Sequence, residues 1–118
     1  YFDFLASVRA KGFQHIYVVS VPLPTIADGQ IWGEVVNLRK EVRASQQERT
    51  QLTLKYNDLL RERCREQGFF FLDVASDQLD PTTGLVYAHL LNRNPLDNHL
   101  EPVRYAELIA RRLEPVLD

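Results

Sequence analysis

Two short apolar runs without polar alternation constrain this chain more than any other feature. The first is His15-Ile16-Tyr17-Val18-Val19-Ser20-Val21 and the second is Phe69-Phe70-Phe71-Leu72-Asp73-Val74. β-Branched and aromatic residues at successive positions put apolar groups on both faces of a strand. Such a strand must be covered on both sides, which is the situation in a parallel sheet. Pro22 and Pro24 end the first run and open a loop rich in Pro, Gly and Asp that extends to Trp32. A helical pattern then runs from Gly33 to about Arg65 before the second run begins. Strands separated by a crossover helix imply parallel pairing in a layered α/β sheet.

The remaining segments fit that order. Residues 2–11 predict a helix, with Phe2, Leu5 and Val8 three apart and Gly12 as its stop. The block Tyr1, Phe2, Phe4, Leu5 and Val8 reads as the buried face of that helix. In the long central segment, Val35, Leu38 and Val42 form one apolar stripe, and Leu52, Tyr56, Leu59 and Leu60 a second. The polar stretch Arg43–Arg49 between them implies two helical segments or one long helix with a solvated middle, closed by Gly68. Asp77 to Asn94 reads as irregular, with Asp80-Pro81-Thr82-Thr83-Gly84 a turn by composition. Pro102 opens a last helix, in which Ala106, Ile109, Leu113 and Val116 recur at helical spacing. Two strands bury themselves poorly. The chain also lacks Met and starts at Tyr1 inside an apolar stretch. Residues 1–118 are therefore expected to be the C-terminal part of one larger domain, with the first residues close to an interior.

Composition excludes several functions. Fourteen Lys and Arg against sixteen Asp and Glu give a formal charge of -2, with no basic excess for nucleic acid. The basic residues Arg39, Lys40, Arg43, Arg49, Arg61, Arg63 and Arg65 alternate with Glu41, Glu48, Glu62 and Glu66, as on a solvated, charge-paired helix face. No window is long and apolar enough for a membrane span. The single cysteine, Cys64, rules out an internal disulfide or a cysteine-based zinc site and reads as a small buried side chain. His15, His89 and His99 lack any ligand-pair spacing, so no metal or cofactor is expected.

Ligands of parallel α/β sheets bind beyond the C-terminal ends of the strands, here Ser20–Pro24 and Asp73–Ser76. Asn94-Pro95-Leu96-Asp97-Asn98-His99-Leu100, just before the last helix, can reach the same rim. Asp97 stands two residues before His99. A carboxylate beside a histidine fixes its tautomer and stabilises the imidazolium once a nucleophile's proton is taken. Read alone, the pair is a weak signal, because Asp-x-His occurs by chance and an idle surface-loop histidine is the commoner case. The loop Pro22–Trp32 is either the wall of a substrate pocket or a packed connector over the sheet edge.

The ordered series of Ile16-Tyr17-Val18-Val19, Tyr56-Asn57-Asp58-Leu59-Leu60, Phe71-Leu72-Asp73-Val74 and Asp97-Asn98-His99-Leu100-Glu101-Pro102-Val103-Arg104-Tyr105 closely resembles the C-terminal part of SGNH (GDSL-like) hydrolases. The resemblance covers essentially the whole chain and is most specific from Asp97 to Tyr105. It implies a three-layer, flavodoxin-like α/β fold with a parallel sheet. It also implies a serine esterase acting on a small-molecule or glycan-linked acyl ester through a Ser–His–Asp triad. His99 matches the family's base. The family's acid stands three residues before the histidine, where this chain has Leu96, so Asp97 is expected as the acid at a shorter spacing and Asp73 is the fallback. Glu101 reads as helix-start chemistry. The Gly-Asp-Ser block and the oxyanion-hole blocks of the family are absent from these residues, so the 118 residues alone are expected to be inactive. An acyltransferase of the same fold and a non-catalytic α/β binding module remain open as alternatives.

Overall fold

The computed structural model describes residues 1–30 and 43–117. The elements are α1 (Phe2–Ala10), β1 (Tyr17–Val19), α2 (Gln46–Gln67), β2 (Phe70–Leu72), the short strands β3 (Leu79–Asp80) and β4 (Leu85–Val86), and α3 (Pro102–Leu113). Single 3-10 turns lie at Ser76–Gln78, Ala88–Leu90 and Glu114–Val116. The expected apolar stripe of Val35, Leu38 and Val42, and Trp32 at the end of the loop, lie outside the described residues.

The described residues form a mixed α/β structure with two small sheets. β1 and β2 pair in parallel, with Tyr17 opposite Phe70, Val18 opposite Phe71 and Val19 opposite Leu72. β3 and β4 form an antiparallel pair, Leu79 opposite Val86 and Asp80 opposite Leu85. Because side chains alternate across a strand, β1 feeds two cores. Val18 packs with Leu5, Leu60, Cys64 and Phe69. Tyr17 and Val19 pack instead against a buried cluster that includes Leu72, Val74, Leu100 and Leu108. The absence of alternation in the sequence runs thus has its physical counterpart, a parallel pair with apolar packing on both faces, although Phe70 remains 47% exposed. Regular ladder pairing is shorter than the apolar runs, three residues in each strand.

Local chemistry sets the helix ends. Ser45 caps α2: its side chain accepts from the Glu48 N–H, and the Glu48 carboxylate accepts from the Ser45 N–H. This reciprocal box satisfies two otherwise orphaned donors. α2 therefore begins inside the polar stretch, as a helical segment of its own. At its far end Gly68 takes φ 73°, in the left-handed region, and its N–H reaches the Cys64 carbonyl. In α3, Pro102 follows Glu101, whose carboxylate accepts from the Arg104 N–H at 2.8 Å.

Two apolar stripes face differently from expectation. On α1 only Leu5 is buried, whereas Tyr1 and Phe4 are 67% and 63% exposed. A step of 100° per residue puts Phe2, Leu5 and Val8 on one side and turns Phe4 away from Leu5, while Tyr1 precedes the helix and is exposed at its end. On α2, Leu52, Tyr56 and Leu59 face solvent, and the buried side chains are Gln46, Thr50, Asn57, Leu60 and Cys64. The reason is the irregular loop after β1, whose backbone polar groups need partners. Asn57 supplies two: Oδ1 accepts from the Val21 N–H at 2.7 Å, and Nδ2 donates to the Val21 carbonyl at 2.9 Å. The Gln46 amide donates to the Pro24 carbonyl at 3.0 Å. Gln78 serves the same loop, accepting from the Leu23 N–H at 2.9 Å. The charged outer face of α2 carries Arg63–Glu66 at 3.4 Å and an Arg65–Glu62 pair, as a solvated helix face should.

Candidate functional site

The loop leaving β1 and the segment preceding α3 meet at a cleft of about 670 Å³. Leu23, Ile26, Leu52, Tyr105 and Ile109 contribute apolar lining, and His99 borders it. The cleft lies beyond the C-terminal end of β1, where an open parallel sheet binds ligands. The loop after β1 is both pocket wall and packed connector: Val21 to Ile26 line the cleft, while Leu23 is buried in the core. Arg49 brings a charge to the wall, but its guanidinium donates to the Ile26 carbonyl at 2.7 Å and to the Ala44 carbonyl at 3.3 Å. Burial raises the Tyr105 pKa, so its phenol stays protonated.

Asp97 and His99 are in contact. Asp97 Oδ1 lies 2.8 Å from His99 Nδ1 and also accepts from the His99 backbone N–H at 2.9 Å. The second bond makes an Asx turn, in which a carboxylate folds over its own backbone to the residue two ahead. That turn is how a two-residue spacing suffices: the oxygen that closes the turn also receives the ring. The bond from the His99 backbone N–H, then the ring bond and the ring's charge, hold Asp97 below the usual carboxylate range. An ionised carboxylate can only accept, so Nδ1 carries a hydrogen, and in the neutral ring Nε2 then keeps its lone pair. The His99 side chain is 82% exposed and that of Asp97 37%, so the pair sits at an open mouth.

Asp73 is elsewhere in function. It accepts from the Ser76 hydroxyl at 2.6 Å, from the Ser76 N–H at 3.1 Å and from Arg61 at 2.9 Å. Partial burial pushes its pKa up, but the Ser76 bonds and the Arg61 charge outweigh it and hold the group low. It caps the turn after β2 rather than serving His99. His15 stacks on Phe70 at 5.9 Å, and His89 lies 5.1 Å from the Tyr87 ring. Cys64 is buried with a thiol pKa raised by that burial, the opposite of an activated nucleophile. Among the described residues no cluster of three or more metal-ligating side chains occurs, and no helix is long and apolar enough to cross a membrane.

All four serines of the chain have other duties. Ser7 donates to the Phe4 carbonyl, Ser45 caps α2 and Ser76 donates to Asp73. Ser20 is buried, its Oγ accepting from the Val74 and Ala75 N–H groups. None of them lines the cleft beside His99.

Sequence reasoning overlooked the residues that hold the loop. Thr25 donates its hydroxyl to the Asn98 carbonyl, tying the loop after β1 to the loop of His99. Asn92 donates to the second oxygen of Asp97 at 3.1 Å. The signal available was the spacing of Asn92, Asn94 and Asp97. Each accepts from the backbone N–H two residues on, making three Asx turns within one loop. No protein-family model, curated protein or solved structure matches the chain.

Proposed function

We propose that this chain carries the acid and base of an SGNH-type serine hydrolase, acting on an acyl ester. His99 is the general base, Asp97 its orienting acid, and the loop Val21–Ile26 forms a wall of the substrate cleft. The observation that carries the reading is the 2.8 Å contact of Asp97 with His99 Nδ1 at the border of a largely apolar cleft. That contact leaves Nε2 free to take a proton. In this reading β1 and β2 belong to a larger flavodoxin-like parallel sheet. The nucleophilic serine and the oxyanion donors come from outside these 118 residues, in keeping with four serines that are all engaged elsewhere.

The chemistry is double displacement. His99 takes the hydroxyl proton as serine attacks the ester carbonyl and returns it to the departing alkoxide, leaving an acyl-enzyme. The same base then activates water, which releases the carboxylic acid and the serine. The test is labelling of the full-length protein with a fluorophosphonate probe. One serine is expected to label, and His99→Ala is expected to slow labelling by about 10²–10⁴-fold. A protein that never labels, or one that labels as fast without His99, refutes the proposal.

A further inference from the structure

The loop that presents His99 is closed at its neck by backbone pairing. Leu91 and Leu100 form an isolated antiparallel bridge, and the Glu101 N–H donates to the Leu90 carbonyl at 2.9 Å. Asn92 and His99 are therefore the first residues inside the neck, one from each side. Asp97 reaches both: Oδ1 meets the His99 ring and backbone, and Oδ2 receives the Asn92 amide at 3.1 Å. Asn92 is itself held, because its Oδ1 accepts from the Asn94 N–H at 2.9 Å.

From this geometry we infer that Asn92 is a positioning residue that fixes the plane of the Asp97 carboxylate and, through it, the tautomer of His99. The inference rests on the hydrolase reading only for what the tautomer is used for. With Oδ1 alone anchored, the carboxylate can swing about its Cβ–Cγ bond and turn Oδ1 away from the ring. A second anchor on Oδ2 removes that freedom. The amide is suited to this because one end accepts from the local turn while the other donates across the loop. A carboxylate or hydroxyl at position 92 can keep the first bond and not the second.

The tautomer is read directly by long-range proton–nitrogen correlation on the full-length protein carrying 15N-histidine. The spectrum is recorded in mildly alkaline solution, and His99→Gln assigns the resonances. The native protein is expected to show His99 mainly as the Nδ1–H form. Asn92→Ser keeps an oxygen for the Asn94 N–H but is too short to reach Asp97. The ratio of Nδ1–H to Nε2–H should then fall about threefold or more, the scale of one exposed charge-assisted bond. Asn92→Asp, which faces Asp97 with a second carboxylate, should lower the ratio as well and serves if the serine variant does not fold. An unchanged ratio in the variants, or a native His99 without an excess of the Nδ1–H form, overturns the inference. Failure of the hydrolase reading is distinguishable. It appears as absence of fluorophosphonate labelling, whereas the tautomer is measured without turnover.

Discussion

At the scale of single residues, the site is built by short polar side chains that bond to backbone. Asn57 is the strongest case, since it is buried and satisfies both the N–H and the carbonyl of Val21. Asn57→Leu strands two backbone groups and is expected to cost about 2–4 kcal/mol, measurable by urea unfolding. Thr50→Val is the contrast, because the Thr50 hydroxyl bonds only to the Gln46 carbonyl of its own helix. That carbonyl keeps its helical partner, so the cost should stay below about 1 kcal/mol. This division explains what could be read from residues alone. A histidine two positions after an aspartate announces a possible pair, and the Asx turn supplies the missing geometry. Thr25 carries no such announcement, and the Asn92–Asn94–Asp97 spacing announces only turns, because the partners Asn98 and Asp97 come within reach of Thr25 and Asn92 only once the loops are closed. Asn57 was hidden for another reason. A hydropathy reading assigns the core to Leu52, Tyr56, Leu59 and Leu60, of which only Leu60 is buried, and a buried amide serving a loop is invisible to it.

At the scale of elements, punctuation residues were legible and short strands were not. Gly68 ends α2 at φ 73°, and a Cβ there would meet only the end of the Arg9 side chain, at 3.8 Å. Gly68→Ala is thus expected to cost about 1–2 kcal/mol from backbone conformation alone, with the α2–β2 connection otherwise kept, as checked by thermal unfolding. The turn Asp80–Gly84 was readable from its composition, and Gly84 N–H does reach the Asp80 carbonyl at 2.8 Å. The hairpin around that turn was not. β3 and β4 have two residues each, too few for any alternation to register. Similarly, α2 was found but rotated, and on α1 the stripe of Phe2, Leu5 and Val8 was legible while Tyr1 and Phe4 did not belong to it, since a run of apolar residues marks a helix more reliably than it marks the side that is buried.

At the scale of the whole molecule, the charged groups that join elements determine how it responds to acid. Asp73, at the end of β2, pairs with Arg61 of α2, and Arg112 of α3 pairs with Asp77 at 2.6 Å. Asp73 has a depressed pKa in the folded chain, so its contribution is present above the unfolded carboxylate value and is lost as pH falls through the lower folded one. Against Asp73→Asn, the native chain should be more stable by about 1 kcal/mol at neutral pH, with the gap closing as pH falls below the ordinary carboxylate range in urea titrations. The two cores also tie distant parts of the chain, and this has a kinetic consequence. Ser20 Oγ and the Val74 N–H that it accepts from are 54 residues apart in sequence. Bringing them together requires a large closure entropy before any strand pairing rewards it. α2, with its capping box, can form first as a rod about 33 Å long, replacing 22 residues of coil by a fixed span. A stiff α2 thereby shortens the closure that joins β1 to β2, and the wall of the His99 cleft, which leaves β1, depends on that same closure.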